Sequence, residues 1–278
     1  MVDYVQDKVI VVTGAAGGFG RLVSLKAAAR GAKLVCVDID ESGVKRTAED
    51  ARKAGGIASG HSVDVTDLAA MQAMAAAAVS EYGRIDVMVN NAGTMPLAFY
   101  SDHAAAYVAW SRCIDINFKG VLHGIIAVYD QMIAQGCGQV VNLSSIYGNY
   151  PVVGAAVYGA TKAAVNFLSD SLRVETKGKV KVTTIRPTGV PGTGLSSGVV
   201  NRAAVVGILG QNMETYAGIR ARIAEGKGEP EDTDPESPRY GILEPGYIAD
   251  AVISAIDQPW GVDVSDITVR ATGDPFIL

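Results

Sequence analysis

The sequence predicts an α/β domain built on a doubly wound, mostly parallel sheet with helices on both faces. Three observations carry that prediction. Short apolar runs rich in β-branched residues alternate with Ala-rich helical stretches along most of the chain. The strand-like runs are nearly continuous in apolar character, as for strands covered on both faces. The first run leads directly into a glycine-rich turn that opens a helix. No repeat of about 20–50 residues points to a solenoid, and 278 residues suit one large domain of right-handed βαβ units.

Taken in order, "KVIVVTG" (8–14) reads as a strand and 18–30 as a helix. "KLVCVD" (33–38) is the next strand, followed by a helix over 42–54. "IASGHSVDV" (57–65) and a helix over 67–82 form the third unit. "RIDVMVNN" (84–91) precedes a long helical region over 104–134. "QVVNLSS" (139–145) precedes a helix over 156–176, "VKVTTIRP" (180–187) is the sixth strand, and "ITVRA" (267–271) the last. The rhythm breaks between Pro187 and Pro245, where helix-compatible pieces (199–225) lead into "GEPEDTDPESP" (228–238). That acidic, Pro-rich run is expected to be a mobile loop. The whole of 1–278 is read as one domain, with a substrate lid inserted at about 190–243.

Composition narrows the function. The chain is 49% hydrophobic and 19% charged, with a net charge of −5. No basic cluster is present, so nucleic acid and anionic membranes are not expected partners. The N-terminal stretch carries Asp3 and Asp7 without a basic flank, unlike a signal peptide, and no apolar run reaches membrane-span length. A soluble, cytoplasmic protein is expected. Cys36, Cys113 and Cys137 match no metal or redox spacing, and His61, His103 and His123 are dispersed, so no metal is expected.

The turn "TGAAGGFG" (13–20) sits between the first strand and the first helix. Glycines there let the backbone approach a phosphate, and the helix N-terminus offers free N–H groups. The next strand ends at Asp38, whose carboxylate can accept hydrogen bonds from both adenosine ribose hydroxyls and would repel a 2′-phosphate. Ile39 and Asp40 follow it, and residues 14–20 contain no Arg or Lys. The expected cofactor is NAD.

With these features the sequence resembles the classical short-chain dehydrogenase/reductase family over about 7–187, and more loosely over 243–271. The motifs are "TGAAGGFG", "NNAG" (90–93), Asn117 of "IDINFKG", "NLSS" (142–145) and "YGATK" (158–162), in the family's order and spacing. The resemblance implies a Rossmann-type domain with seven strands, assembled as a homotetramer or, alternatively, a dimer. It implies a catalytic set of Asn117, Ser145, Tyr158 and Lys162. It also implies cofactor contacts at Gly14, Gly18, Phe19, Asp38, Asp64, Val65, Asn91, Gly93, Tyr158, Lys162, Pro187 and Val190, with Asp64 and Val65 flanking the adenine. Two serines compete for one role. Adjacent strand residues face opposite ways, and the family spacing to the tyrosine selects Ser145 over Ser144. One departure is "RPTGVPGTG", where Thr188 stands at the usual Gly and the downstream Thr is displaced to Thr193.

Residues four apart share a helix face, so Tyr158 and Lys162 can meet in one site. A free phenol, with a pKa of about 10, is a poor base at neutral pH. A nearby ammonium would lower that value. The expected reaction interconverts an uncharged, hydrophobic secondary alcohol and its ketone, with Tyr158 carrying the proton. Ser145 orients the substrate oxygen, and Asn117 holds a relay water. Met95, Pro96, Tyr147, Tyr150, Val152 and the lid are the expected walls. Two other readings compete: a non-catalytic dinucleotide-binding redox sensor, and a sugar-nucleotide epimerase or dehydratase on a related fold.

Overall fold

The computed structural model describes residues 2–276. Seven strands form one parallel sheet in the order β3-β2-β1-β4-β5-β6-β7. They are β1 (Val9–Thr13), β2 (Lys33–Asp38), β3 (Ile57–Ser62), β4 (Val87–Asn90), β5 (Gly138–Leu143), β6 (Val180–Pro187) and β7 (Asp266–Val269). Between them run α1 (Gly18–Ala28), α2 (Glu41–Lys53), α3 (Leu68–Tyr82), α4 (His103–Ile114), α5 (Gly120–Gln135) and α6 (Ala156–Glu175). The segment between β6 and β7 carries α7 (Val206–Leu209), α8 (Met213–Ala224), α9 (Pro230–Thr233) and α10 (Pro245–Ile256). The doubly wound, Rossmann-type sheet expected from the sequence is present.

The period-two geometry of strands explains how both faces are filled. Ile10, Val12, Leu34, Cys36, Val89 and Leu143 pack in one cluster with α1, α2 and α10. Their sequence neighbours Val11, Val35, Val37, Met88 and Val140 pack in a second cluster with α3, α5 and α6. Each fully buried Ile or Val contributes about 1.5–3 kcal/mol, so a strand polar on one face would lose half of that support. The chain order reverses between β1 and β4. At that switch point the carboxyl ends of the strands leave a crevice, where ligands bind in open α/β sheets.

Three features differ from the sequence expectations. The long helix is two helices joined by a π-helical turn over Asp115–Lys119, which holds Asn117 fully buried. An additional helix, α10, buries Ile248, Val252 and Ile256, spaced four apart, against the sheet. Its signal was readable: Pro245 at the first turn and an apolar stripe at helical spacing. The acidic run is not an unattached strap. Its residue Asp232 is buried and accepts a 2.7 Å hydrogen bond from the Arg222 guanidinium of α8, while Arg239 pairs with Glu231 at 2.6 Å. Those basic partners flank the run on either side in sequence, and they neutralise the charge that argued for solvation. Among the described residues, no helix is long and apolar enough to cross a membrane.

Candidate active site

The glycine turn is shaped for close approach. Gly14 and Gly18 have φ of +66° and +50°, a region that disfavours side chains. A side-chain carbon on Gly14 would sit 2.7 Å from Asn91 Nδ2, and one on Gly18 2.8 Å from the Thr193 carbonyl oxygen. α1 begins at Gly17 with no side-chain cap, whereas Asp40 and Asp67 cap α2 and α3. The first N–H groups of α1 therefore lack a side-chain partner and suit an anionic ligand. Phe19 and Val190 pack half-buried against the cluster beneath the turn.

"NNAG" fastens this turn to the end of β4. Asn91 Nδ2 donates to the Thr13 and Gly14 carbonyls at 2.8 and 3.2 Å, and the Asn91 and Ala92 N–H groups donate to Thr13 Oγ1. The Asn91 amide nitrogen thus holds the turn itself. Asp38, at the end of β2, accepts from the Ala16 N–H at 2.9 Å and the Asp40 N–H at 3.0 Å. Its carboxylate is fixed beside the turn and retains further acceptor capacity. The exposed Asp64 accepts from the Thr66 N–H and hydroxyl, and the Val65 carbonyl lies 2.9 Å from His123 Nδ1. Pro187 ends β6 and is buried, and the Thr188 hydroxyl beyond it is buried without a partner. Tightly fitted glycines, an uncapped helix, a fixed carboxylate and an orphaned hydroxyl suit a dinucleotide along this crevice.

The four residues assigned to catalysis by resemblance come together at the same edge. Asn117, Ser145, Tyr158 and Lys162 are exposed by only 0%, 4%, 5% and 5%. Ser145 follows β5; its hydroxyl oxygen accepts from the Tyr147 N–H at 3.2 Å, and it is close enough to the Tyr158 phenol to lower its pKa. Ser144 points elsewhere, its hydroxyl donating to the Lys162 carbonyl at 3.2 Å. Lys162 Nζ lies 5.9 Å from the Tyr158 ring centre and donates to the Leu143 carbonyl at 2.7 Å. Gly93 leaves space beside this ammonium: a side-chain carbon there would sit 3.7 Å from Nζ.

The Asn117 side chain is engaged with protein groups. Its Oδ1 accepts from the Thr94 N–H at 2.8 Å, and its Nδ2 donates to the Thr94 carbonyl at 2.9 Å. Nδ2 also reaches Thr161 Oγ1 at 3.2 Å and Cys113 Sγ at 3.3 Å. This amide pins the loop after β4 to α4 and α6, and is already engaged before any water is considered. Thr94, Cys113 and Thr161 were not singled out from the sequence. Cys113 could have been, because it precedes Asn117 by one helical turn.

Burial dominates the electrostatics. It pushes the Tyr158 phenol up to about 12, opposed by the Ser145 hydroxyl. It also pushes the Lys162 ammonium down to about 8. The expected lowering of the phenol by the lysine is not produced by these residues alone. At pH 7 the phenol is protonated and set up as a proton donor.

Around Tyr158 lies a third apolar cluster. It contains Leu97, Tyr147, Ile208, Leu209 and Phe276, with Met95, Val152 and Tyr216 at its margin. Met95, Tyr147 and Val152 thus fall where the sequence expected walls. Pro96 is buried, and its carbonyl accepts from Trp110 Nε1 at 3.1 Å. Tyr150 does not join the cluster: it is 59% exposed and lines a groove of about 740 Å³ that Tyr147 and Val152 also line. The segment after β6 packs on the loop after β4 and on the residues before α6. The Val200 and Asn201 N–H groups donate to the Leu97 carbonyl at 3.1 and 3.0 Å, and Gly207 lies directly on the Val153 carbonyl. Phe276 and Tyr216 were absent from the sequence expectations.

Comparison with known proteins agrees with this geometry. The sequence model of the family described as short chain dehydrogenase matches residues 8–203. An uncharacterized oxidoreductase of Listeria monocytogenes is 33% identical over 275 residues, spanning 98% of this chain and 99% of the relative. A short chain dehydrogenase/reductase from Burkholderia phymatum, solved in complex with NAD, is 28% identical at a TM-score of 0.74, covering 96% of this chain and 90% of that one. A metagenomic short-chain oxidoreductase solved with NADP is 26% identical at a TM-score of 0.73, covering 97% and 99%.

Proposed function

Because the chain belongs to the short-chain dehydrogenase/reductase family of oxidoreductases, we propose that it interconverts a secondary alcohol and its ketone, using NAD as cofactor. The observation that carries the proposal is the gathering of Tyr158, Ser145 and Lys162 in one buried site at the carboxyl edge of the sheet, beside the glycine turn. A pure dinucleotide binder has no need of a buried phenol gathered with a serine hydroxyl and an ammonium.

The bound nicotinamide dinucleotide supplies the two-electron acceptor or donor. Gly14, Gly18 and the start of α1 would hold its phosphates, and Asp38 its adenosine ribose. The protein's own part is proton transfer and orientation. Tyr158, protonated at neutral pH, donates to the oxygen of a ketone as it becomes an alcohol, and in the oxidative direction takes that proton back. The Ser145 hydroxyl orients the substrate oxygen at the phenol. Lys162 places an ammonium 5.9 Å from the centre of the phenol ring, where burial outweighs any lowering of the phenol's pKa. The Asn117 side chain keeps Thr94 and the loop after β4 in place, so a relay water in this protein would rest on main-chain groups. The apolar cluster around Tyr158 favours uncharged, hydrophobic substrates.

Preference for NAD over NADP follows from Asp38. Arg46 of α2 lies 4.0 Å from the Asp40 carboxylate and donates to the Ser42 hydroxyl at 3.2 Å. A 2′-phosphate would therefore meet the Asp38 charge without a committed cationic partner. The test is NADH absorbance with a panel of secondary alcohols and ketones, using both cofactors. Turnover with NAD(H) well above NADP(H), reversed by Asp38→Gly with Ile39→Arg, is the expected result. No turnover with any alcohol or ketone would overturn the activity, and equal kcat/KM with NADP(H) would overturn the cofactor assignment.

A further inference from the structure

Phe276 is distant in sequence from every catalytic residue, yet its ring is buried in the cluster that contains Tyr158, Tyr147, Ile208 and Leu209. One side of the ring lies on the backbone of Gly189, so closely that a side-chain carbon there would fall within the ring. Gly189 stands two residues past Pro187, at the edge of the crevice. The other side of the ring meets Tyr216 of α8, with ring centres 5.7 Å apart and planes at 59°. Phe276 thus bridges the sheet edge and α8 beside the catalytic phenol.

The segment that presents this ring is held at three places. Asp274 is nearly fully buried and pairs with Arg270 at 2.9 Å. The Gly273 N–H donates to the Tyr240 carbonyl at 2.9 Å. Asn212, between α7 and α8, donates to the Pro275 carbonyl at 2.9 Å. The last fastening comes from the segment after β6, so the two segments are in direct contact. Next to the ring, the Tyr147 hydroxyl is buried without a hydrogen-bond partner. Such an orphaned group costs about 1–3 kcal/mol, and a polar atom entering the chamber would remove that cost.

We propose that Phe276 is the movable wall of the substrate chamber and sets the size of the substrate's apolar group. The ring occupies volume between Gly189, Tyr216 and Tyr158, and an apolar substituent would lie against its face. A substrate larger than the space left must displace it. Interchange of Phe for a smaller residue therefore changes discrimination between substituents, because each methylene that fits or fails to fit a pocket alters the rate by about tenfold or more. The substrate chemistry in this proposal rests on the ketone and alcohol reading above; the placement of the ring does not.

The experiment compares the unaltered protein with Phe276→Leu and Phe276→Ala. Rates are measured on a series of methyl ketones whose second substituent grows from methyl to aryl. Hydrogen–deuterium exchange is followed in peptides covering 147–158 and 208–216. The expected result is a rise of about tenfold in the kcat/KM ratio of the bulkiest to the smallest ketone for Phe276→Ala. Phe276→Leu should give an intermediate value, and both peptides should exchange faster. An unchanged size profile in both variants overturns the proposal. If the unaltered protein reduces none of the ketones, the activity reading fails by itself and exchange decides the role of Phe276. Faster exchange in both peptides then supports the wall, and unchanged exchange overturns it.

Discussion

Replacing Asn117 by Ala removes four contacts made by one fully buried amide. Two of them satisfy the N–H and carbonyl of Thr94, and the others reach Thr161 and Cys113. The truncation leaves the Thr94 N–H without its partner and the Thr94 carbonyl with only the Cys113 thiol, 3.7 Å away. Each costs about 1–3 kcal/mol if water cannot replace the bond. Thr94 is half-buried, so the lower part of that range applies, giving about 2–4 kcal/mol in total. That is a sizeable share of the 5–15 kcal/mol or so that stabilises a typical domain. Asn117→Asp separates the two halves of the pairing. Its carboxylate can still accept from the Thr94 N–H but sets a second oxygen against the Thr94 carbonyl, so it should be no better than Ala. Urea unfolding followed by circular dichroism measures both variants. Stability within about 0.5 kcal/mol of the unaltered protein, the range of an ordinary surface change, would refute the pinning role.

Two further expectations concern titration and assembly. With Tyr158 at about 12 and Lys162 at about 8, ketone reduction should be flat through neutral pH. It should decline above about pH 8, as the lysine loses its charge and the phenol its neighbour. Alcohol oxidation, which needs the deprotonated phenol, should rise with pH over the same range; initial rates that show reduction rising with pH would contradict this. Tyr107 and Val108 on α4, and Phe167 and Val174 on α6, are each more than two-thirds exposed (69%, 76%, 75% and 78%). A face of that kind calls for a partner, and sedimentation should show a homotetramer, or a dimer, with a stable monomer at micromolar concentration as the contrary result.

What the sequence revealed and what it hid divide along a physical line. The strands, the glycine turn and the helical pairing of Tyr158 with Lys162 depend on residues near one another in the chain, and each was legible. The π-helical turn at Asn117 is a matter of hydrogen-bond register, which composition does not encode. Tyr147 and Tyr150 lie three apart in a loop without periodicity, so no pattern could say which one faces Tyr158. The docking of Asp232 on Arg222 and the arrival of Phe276 beside Tyr158 are contacts across folded elements. The spacing brought an ammonium near the phenol, but the titration of both groups is set by burial in the folded chain.

The central claim is that Tyr158 carries the proton in a cofactor-dependent interconversion of alcohol and ketone. Tyr158→Phe keeps the ring in its apolar cluster and removes only the phenolic hydroxyl. The direct measurement is single-turnover NADH oxidation with a reducible ketone, alongside NADH binding by fluorescence titration. The account predicts that turnover falls by about 100-fold or more, as for loss of a general acid, while NADH still binds. A rate within a few fold of the unaltered protein, with binding intact, would contradict it.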